Sequence, residues 1–329
     1  QSPKTLCIQP LPGIGDMVWY LPHLRAIADH TPGKRISILT KRSSLADQLL
    51  ANESWCGDIL WIERDRRQGA DPKLQTHQGM LGNWRLSQDL RSHGFQEVWI
   101  LHHSSYYRRV CTLAGIPKRR GYSFSSFNPL LTDPTLLPES LKGEHPRKIL
   151  SAFLEQQGFS IDDYSYPLMP KADAIDSITQ KLGQKPKGKR IVLGIGASGP
   201  EKCWPLEKFQ ALAEVLLKQN HQVILCGGPS EQAMADHMRA QIPHQPNLID
   251  GTRNPLQETI ALLQACDFYI GNDTSLMNLA VNQGKKAFTF FGPTYTVYNP
   301  LTIALTSSTQ KVSDISLEEV LQRIDNPSF

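Results

Sequence analysis

At 329 residues the chain is long enough for two domains of about 150 residues each. Its 40% hydrophobic, 8% aromatic and 20% charged content excludes wholesale disorder, and no stretch approaches the ~18 apolar residues of a membrane span. The net charge of +4 is uneven: the excess lies in residues 1–165, while acids and bases balance in residues 166–329.

The chain opens almost at once into a strand-like run, Thr5-Leu-Cys-Ile-Gln9. It shows no charged leader, apolar core and cleavage site, so the expectation is a cytoplasmic protein. A Pro/Gly turn follows. Met17, Val18, Leu21, Leu24 and Ala28 then recur at helical spacing, with Pro22 predicting a kink or restart. Residues 35–39 and 97–101 read as further strands, and residues 46–50 and 85–91 as helical pieces between them.

The second half repeats this grammar. Residues 190–194 form a strand; Leu206, Phe209, Leu212, Ala213 and Leu216 form one helix face, entered through Pro205. Residues 222–226 form the next strand, ending in Gly227-Gly228-Pro229, and Ser230 is expected to cap a polar helix. Asn254-Pro255 opens another helix. Strands at 267–270 and 287–291 flank a helix at about 274–282. Ser316-Leu-Glu-Glu319 fits a capping box ahead of a terminal helix.

Alternating strands and helices at this spacing predict an α/β fold with parallel sheets, helices on both faces. The expected architecture is two doubly wound, Rossmann-like domains facing across a cleft. The expected boundaries are residues 1–165, a proline-interrupted linker at 166–188, a second domain at 189–310, and a helix and tail at 311–329.

The six cysteines, Cys7, Cys56, Cys111, Cys203, Cys226 and Cys266, are spread without a CxxC pair. That spacing fits neither a zinc site nor a disulfide framework, and buried thiols are expected. No acid lies between Glu97 and Asp133, whereas Arg108, Arg109, Lys118, Arg119 and Arg120 do. The block favours an anionic ligand; a solvated stripe is the plainer alternative. Aromatic and basic residues are not interleaved, and no nucleic-acid module appears, so nucleic acid is not an expected partner.

Ligands of open α/β sheets bind where strands end and helices begin. Three such turns stand out. The first is Pro12-Gly13-Ile14-Gly15-Asp16, where the glycines allow close backbone approach. Asp16 either caps the helix or takes a proton from a hydroxyl nucleophile. The second runs from Gly194 to Pro205, with Gly196, Ser198, Gly199 and Lys202. Gly194, Gly196 and Gly199 match GxGxxG literally, which raises an NAD(P)-dependent oxidoreductase as an alternative. Its context argues otherwise: Pro200 and Pro205 delay the helix, and the next strand ends in Cys226-Gly227-Gly228 rather than an acid. Lys202 suits a phosphate as a point charge, or is a plain surface lysine. The third is Gly271-Asn-Asp273-Thr274-Ser275-Leu-Met-Asn278, where a strand meets an apolar helix and a diphosphate could bind.

In this order the three loops resemble those of glycosyltransferase family 9, the lipopolysaccharide heptosyltransferases. Gly13-Ile-Gly15-Asp16 with Leu21-Pro22 is similar to its first motif, and Gly196-Ala-Ser198 with Glu201-Lys202 and Trp204-Pro205 to its donor loop. Gly271-x-Asp273-Thr274, closed by Phe291-Gly292-Pro293-Thr294, is similar to its last motif and is the most specific of the three.

The resemblance implies a GT-B fold and an inverting, metal-independent transfer, with a nucleoside-diphosphate sugar as co-substrate and no cofactor. Asp16 would be the general base. Gly196, Ser198, Lys202, Glu231, Asp273, Thr274, Ser275 and Asn278 would hold the donor, Glu231 at its ribose. Gly13, Gly15, His102, Arg119 and Arg120 would receive an anionic glycolipid or glycan, with peripheral contact at the inner membrane face. A sugar-nucleotide-binding protein without activity is the non-enzymatic alternative. Family members often carry a histidine where this chain has Asn278 and a glycine where it has Ser275, which leaves the donor sugar open.

Overall fold

The computed structural model describes residues 3–64, 75–126, 128–161, 165–243, 245–293 and 297–325. The chain divides into two compact units, Gln1–Asp163 and Tyr164–Phe329.

In the first unit the strands are β1 (Thr5–Gln9), β2 (Ile36–Thr40), β3 (Cys56–Trp61), β4 (Glu97–Ile100), β5 (Lys118–Ser123) and β6 (Asp133–Leu136). The helices are α1 (Ile14–His30), α2 (Ala46–Leu49), α3 (Gly79–His93), α4 (Ser105–Leu113) and α5 (Pro146–Gln156). All strand pairs are parallel, in the order β3-β2-β1-β4-β5-β6. Every residue of β1 and β2 is buried, as a strand covered by helices on both faces requires. Leu6, Ile8, Val98, Ile100 and Val110 anchor the core on one face.

The second unit begins with α6 (Ala172–Leu182) and β7 (Arg190–Gly194). It continues through α7 (Leu206–Lys218), β8 (Gln222–Cys226), α8 (Gln232–Gln241), β9 (Leu248–Asp250), α9 (Leu256–Ala265) and β10 (Phe268–Asn272). It closes with α10 (Ser275–Asn282), β11 (Lys286–Phe290), β12 (Thr302–Leu305) and α11 (Leu317–Asp325). Its parallel sheet runs β12-β11-β10-β7-β8-β9. Both sheets thus reverse direction of winding beside their first strand: between β1 and β4 in one, between β7 and β10 in the other. In such sheets the crevice at the carboxyl ends of those strands is the place for a ligand.

Three local expectations change. α1 runs through Pro22 without interruption; the fully buried Leu21 and Leu24 hold the turn despite the missing N–H. The stretch 166–188 is more than a linker, because α6 packs on α9 and Gln222 donates to the Leu182 carbonyl. Ser230 does not cap α8: it sits in a 3-10 turn, Pro229–Glu231, closed by Glu231 accepting from the Gly228 N–H at 2.6 Å. The terminal capping box forms, with Ser316 N–H donating to Glu319 at 2.8 Å and Glu319 N–H to Ser316 Oγ at 3.2 Å. α11 then buries Val320 against the second core.

Candidate active site

In the first unit, the turn after β1 places Asp16 in the first turn of α1. Gly13 precedes the helix at φ +101, a conformation that side chains with a Cβ resist. A Cβ there would also lie 3.4 Å from Asp16 Oδ2. The helix is capped by Gly13, not by a side chain, so capping does not explain Asp16. Its carboxylate has no hydrogen-bond partner among the described residues and is half-buried. Burial pushes its pKa up to about 6, against the pull of the Lys41 ammonium. The α1 dipole favours its charged form as well. A carboxylate with a raised pKa, partly open to solvent and not tied up by internal hydrogen bonds is suited to general-base work. Lys41, at the end of β2, was not among the candidates from sequence; a lysine directly after the buried run Ile36–Thr40 is the signal for it.

Across the switch point, His102 and His103 follow β4. Their rings stack at 4.6 Å. His102 Nδ1 accepts the Ser104 N–H at 3.0 Å, and burial with His103, Arg108 and Lys41 nearby pushes its pKa down to about 4. The ring is therefore neutral near pH 7, and its proton sits on Nε2. Arg108 on α4 is only 5% exposed. It donates to the Tyr122 carbonyl at 2.5 Å, its Nε has no partner, and no acid pairs with it among the described residues. A buried guanidinium without a counter-ion is unusual, and its charge acts on both histidines.

Arg119 and Arg120 are not part of this group. In register they lie beside Val98 and Trp99, in the amino half of β5. Arg119 donates to the Leu130 and Ile116 carbonyls at 2.7 and 2.6 Å. Arg120 pairs with Glu97 at 2.7 Å and Asp133 at 2.6 Å, hydrogen-bonds Gln157, and lies over the Trp99 ring. Both side chains are spent on contacts within their own unit, which argues against the expected role in receiving an acceptor. Successive residues of a strand run from the amino rim of the sheet to its carboxyl rim, and these two sit toward the amino rim, opposite the rim that carries Asp16.

In the second unit, the loops after β7 and β10 are tied by Asn272, a fully buried side chain. Its Oδ1 accepts the Trp204 N–H at 2.9 Å, and its Nδ2 donates to the Gly196 carbonyl at 3.0 Å. Asn272 is not among the candidates from sequence; its signal is an amide ending the otherwise apolar strand Phe-Tyr-Ile-Gly. Trp204 is also buried and donates its indole N–H to the Ile315 carbonyl at 2.9 Å. Between these anchors Ser198 and Lys202 are exposed.

Asp273 follows Asn272. Burial raises its pKa, and Lys202 lowers it, so the two loops are coupled electrostatically. Thr274 precedes α10 without capping it by its side chain, and the Tyr269 hydroxyl beside it donates to the Asn272 carbonyl at 2.9 Å. Ser275 opens α10, half-buried, and Asn278 lies buried one turn on. Positive helix-end potential therefore meets the crevice beside β10. Glu231 joins from the loop after β8: a Cβ on Gly196 would lie 2.7 Å from Glu231 Cδ. The eight donor candidates thus gather on three adjacent strand-end loops and the helix they open. Thr294, the last residue of the third motif, lies outside the described residues.

The dinucleotide alternative fails on geometry. After the glycines the chain makes a 3-10 turn, Pro200–Lys202, and α7 starts only at Leu206. No group of three His, Cys, Asp or Glu able to hold a metal occurs among the described residues.

Residues 84–322 match the profile of glycosyltransferase family 9 (heptosyltransferase). The chain is 25% identical over 272 residues to lipooligosaccharide heptosyltransferase 2 of Haemophilus influenzae, covering 75% of each. It is 25% identical over 316 residues to lipopolysaccharide heptosyltransferase 2 of Escherichia coli, covering 90% of this chain and 85% of that one. In fold it is similar to E. coli heptosyltransferase WaaC, solved with ADP-2-deoxy-2-fluoro heptose. That match has a TM-score of 0.75, 16% identity and coverage of 99% and 100%. Two parallel, doubly wound units with these likenesses make the fold GT-B.

Proposed function

The chain belongs to glycosyltransferase family 9, and from that premise we propose that it moves a heptose from ADP-heptose onto a lipopolysaccharide core or related glycan. The reaction is a single inverting displacement without a metal. Asp16 accepts the proton of the acceptor hydroxyl as its oxygen attacks the anomeric carbon, and the C–O bond to the nucleoside diphosphate breaks on the opposite face. Charge developing on the leaving diphosphate is met by Lys202 and the N-terminal end of α10, with Glu231 at the ribose. Asp273, Thr274 and Ser275 hold the sugar and diphosphate.

The observation that carries this reading is the carboxylate of Asp16: half-buried, without a hydrogen-bond partner among the described residues, and raised to about 6. A base is most effective when its pKa lies near the working pH. Arg108 and the Nε2–H of neutral His102 support an anionic acceptor. That acceptor is a glycolipid met at the cytoplasmic membrane face. No helix among the described residues is long and apolar enough to cross a membrane.

The test is transfer from ADP-heptose by the wild type and Asp16→Asn. Turnover is expected to fall by about 10²–10⁴-fold, with ADP affinity by calorimetry unchanged. Full turnover in the variant would overturn the assignment of the base. A thermal-shift screen of ADP-, UDP-, GDP- and dTDP-sugars checks the donor.

A further inference from the structure

α3 is built the wrong way round for a helix that only packs. Gly82, Leu86 and Leu90 face inward and are buried, whereas Met80, Leu81 and Trp84 are 89%, 72% and 59% exposed. At about 100° per residue these three share one outward face. None of them serves the core. The start of the helix is nevertheless held firmly. A Cβ on Gly82 would lie 2.3 Å from the His77 carbonyl carbon, so the helix rests directly on that backbone. Tyr106 in turn donates to the His77 carbonyl at 3.0 Å.

Among the described residues the surroundings are basic. No acid occurs from Gln78 to Gln88. Arg85 is exposed on the same helix; His103 is exposed ahead of α4 and Arg109 midway along it, and α4 packs beside α3. Glu63 is engaged by Arg42 at 3.1 Å. Asp89, the first acid of α3, turns away from the Met80–Trp84 face by the same helical count. Because each helix runs antiparallel to its strands, the N-termini of α3 and α4 lie on the carboxyl rim of the sheet. That is the rim carrying Asp16 and His102.

We infer that Met80, Leu81 and Trp84, with Arg85 on the same helix and Arg109 on the neighbouring α4, form the surface by which this protein docks on an anionic lipid bilayer. Single exposed apolar residues are ordinary, but a contiguous trio including tryptophan within a basic frame has the chemistry of an interfacial anchor. The trio inserts at the headgroup boundary while the arginines meet lipid phosphates. This rests on the glycolipid acceptor proposed above, since it brings the acceptor rim to the membrane.

The experiment uses the full chain and co-sedimentation with vesicles of phosphatidylcholine, alone or with phosphatidylglycerol. Wild type is expected to bind the anionic vesicles, more weakly at high salt. The triple variant M80S/L81S/W84S is expected to lose at least about tenfold in partition. R85Q/R109Q should lose only the preference for phosphatidylglycerol. Transfer onto a deacylated, soluble acceptor stays at the wild-type rate in the triple variant, which also shows that it is folded. Unchanged partition of the triple variant overturns the proposal, as does a wild type that ignores both vesicles. So does a dimer seen by ultracentrifugation that the triple substitution abolishes. Vesicle binding without transfer to the soluble acceptor would instead remove the enzymatic reading and leave the docking surface standing.

Discussion

The side-chain carbonyl of Asn272 accepts the backbone N–H of Trp204 at 2.9 Å, while its amide group donates to the Gly196 carbonyl. One buried amide therefore sets the spacing of the two loops proposed to hold the donor. Asn272→Ala leaves a buried N–H and a carbonyl unpaired, at a cost of about 1–3 kcal/mol. Donor affinity should fall more than turnover at saturating donor. Urea unfolding and calorimetry with ADP check the two effects.

Asp16 should trade stability for activity. Its folded pKa of about 6 lies above the ordinary value of 3.8, so the native state holds the proton more tightly than the unfolded chain. That contribution is full below pH 3.8 and is lost as pH rises through 6. At pH 7.5 the ionised carboxylate is therefore a burden, and Asp16→Asn should raise Tm there while removing activity. Thermal unfolding at pH 4 and 7.5 measures this: the gain appears at the higher pH only.

The same carboxylate sets the pH profile. kcat/KM should rise with pH on a limb centred near 6, because only the ionised base accepts a proton. Lys41 pulls that value down, so Lys41→Met should move the limb to higher pH. A limb that stays put in Lys41→Met would show that another group titrates.

Two arginines of the basic block should behave oppositely. Arg120→Met removes pairs with Glu97 and Asp133 and should lower stability by roughly 1–3 kcal/mol, leaving acceptor KM unchanged. Arg108→Met should raise KM for an anionic acceptor while leaving donor KM alone. Steady-state kinetics with each substrate varied in turn separates them.

Gly196 has no room for a methyl group, because its Cβ would press on Glu231. Gly196→Ala should push the Glu231 side chain out of place and weaken nucleotide binding, read by calorimetry, with little change in Tm.

By itself the sequence determined the alternation of strand and helix, the cysteines without a framework, and the three glycine- and acid-bearing turns. These are local properties: apolar periodicity, turn chemistry and helix-start signals act within a few residues. β1, β8 and the terminal capping box formed at or within the residues predicted for them. Only the tertiary structure decided which charges keep company. Arg108 and Arg120 belong to one basic run in the chain, yet Arg108 lies on α4, which starts at the carboxyl rim of the sheet, and Arg120 in the amino half of β5. One meets two histidines and, among the described residues, no acid; the other is neutralised by Glu97 and Asp133. Lys41 comes beside Asp16 only because β2 pairs with β1, and Asn272 reaches Trp204 only because β10 pairs with β7. Contacts of that kind depend on strand order and register, which local sequence pattern does not encode.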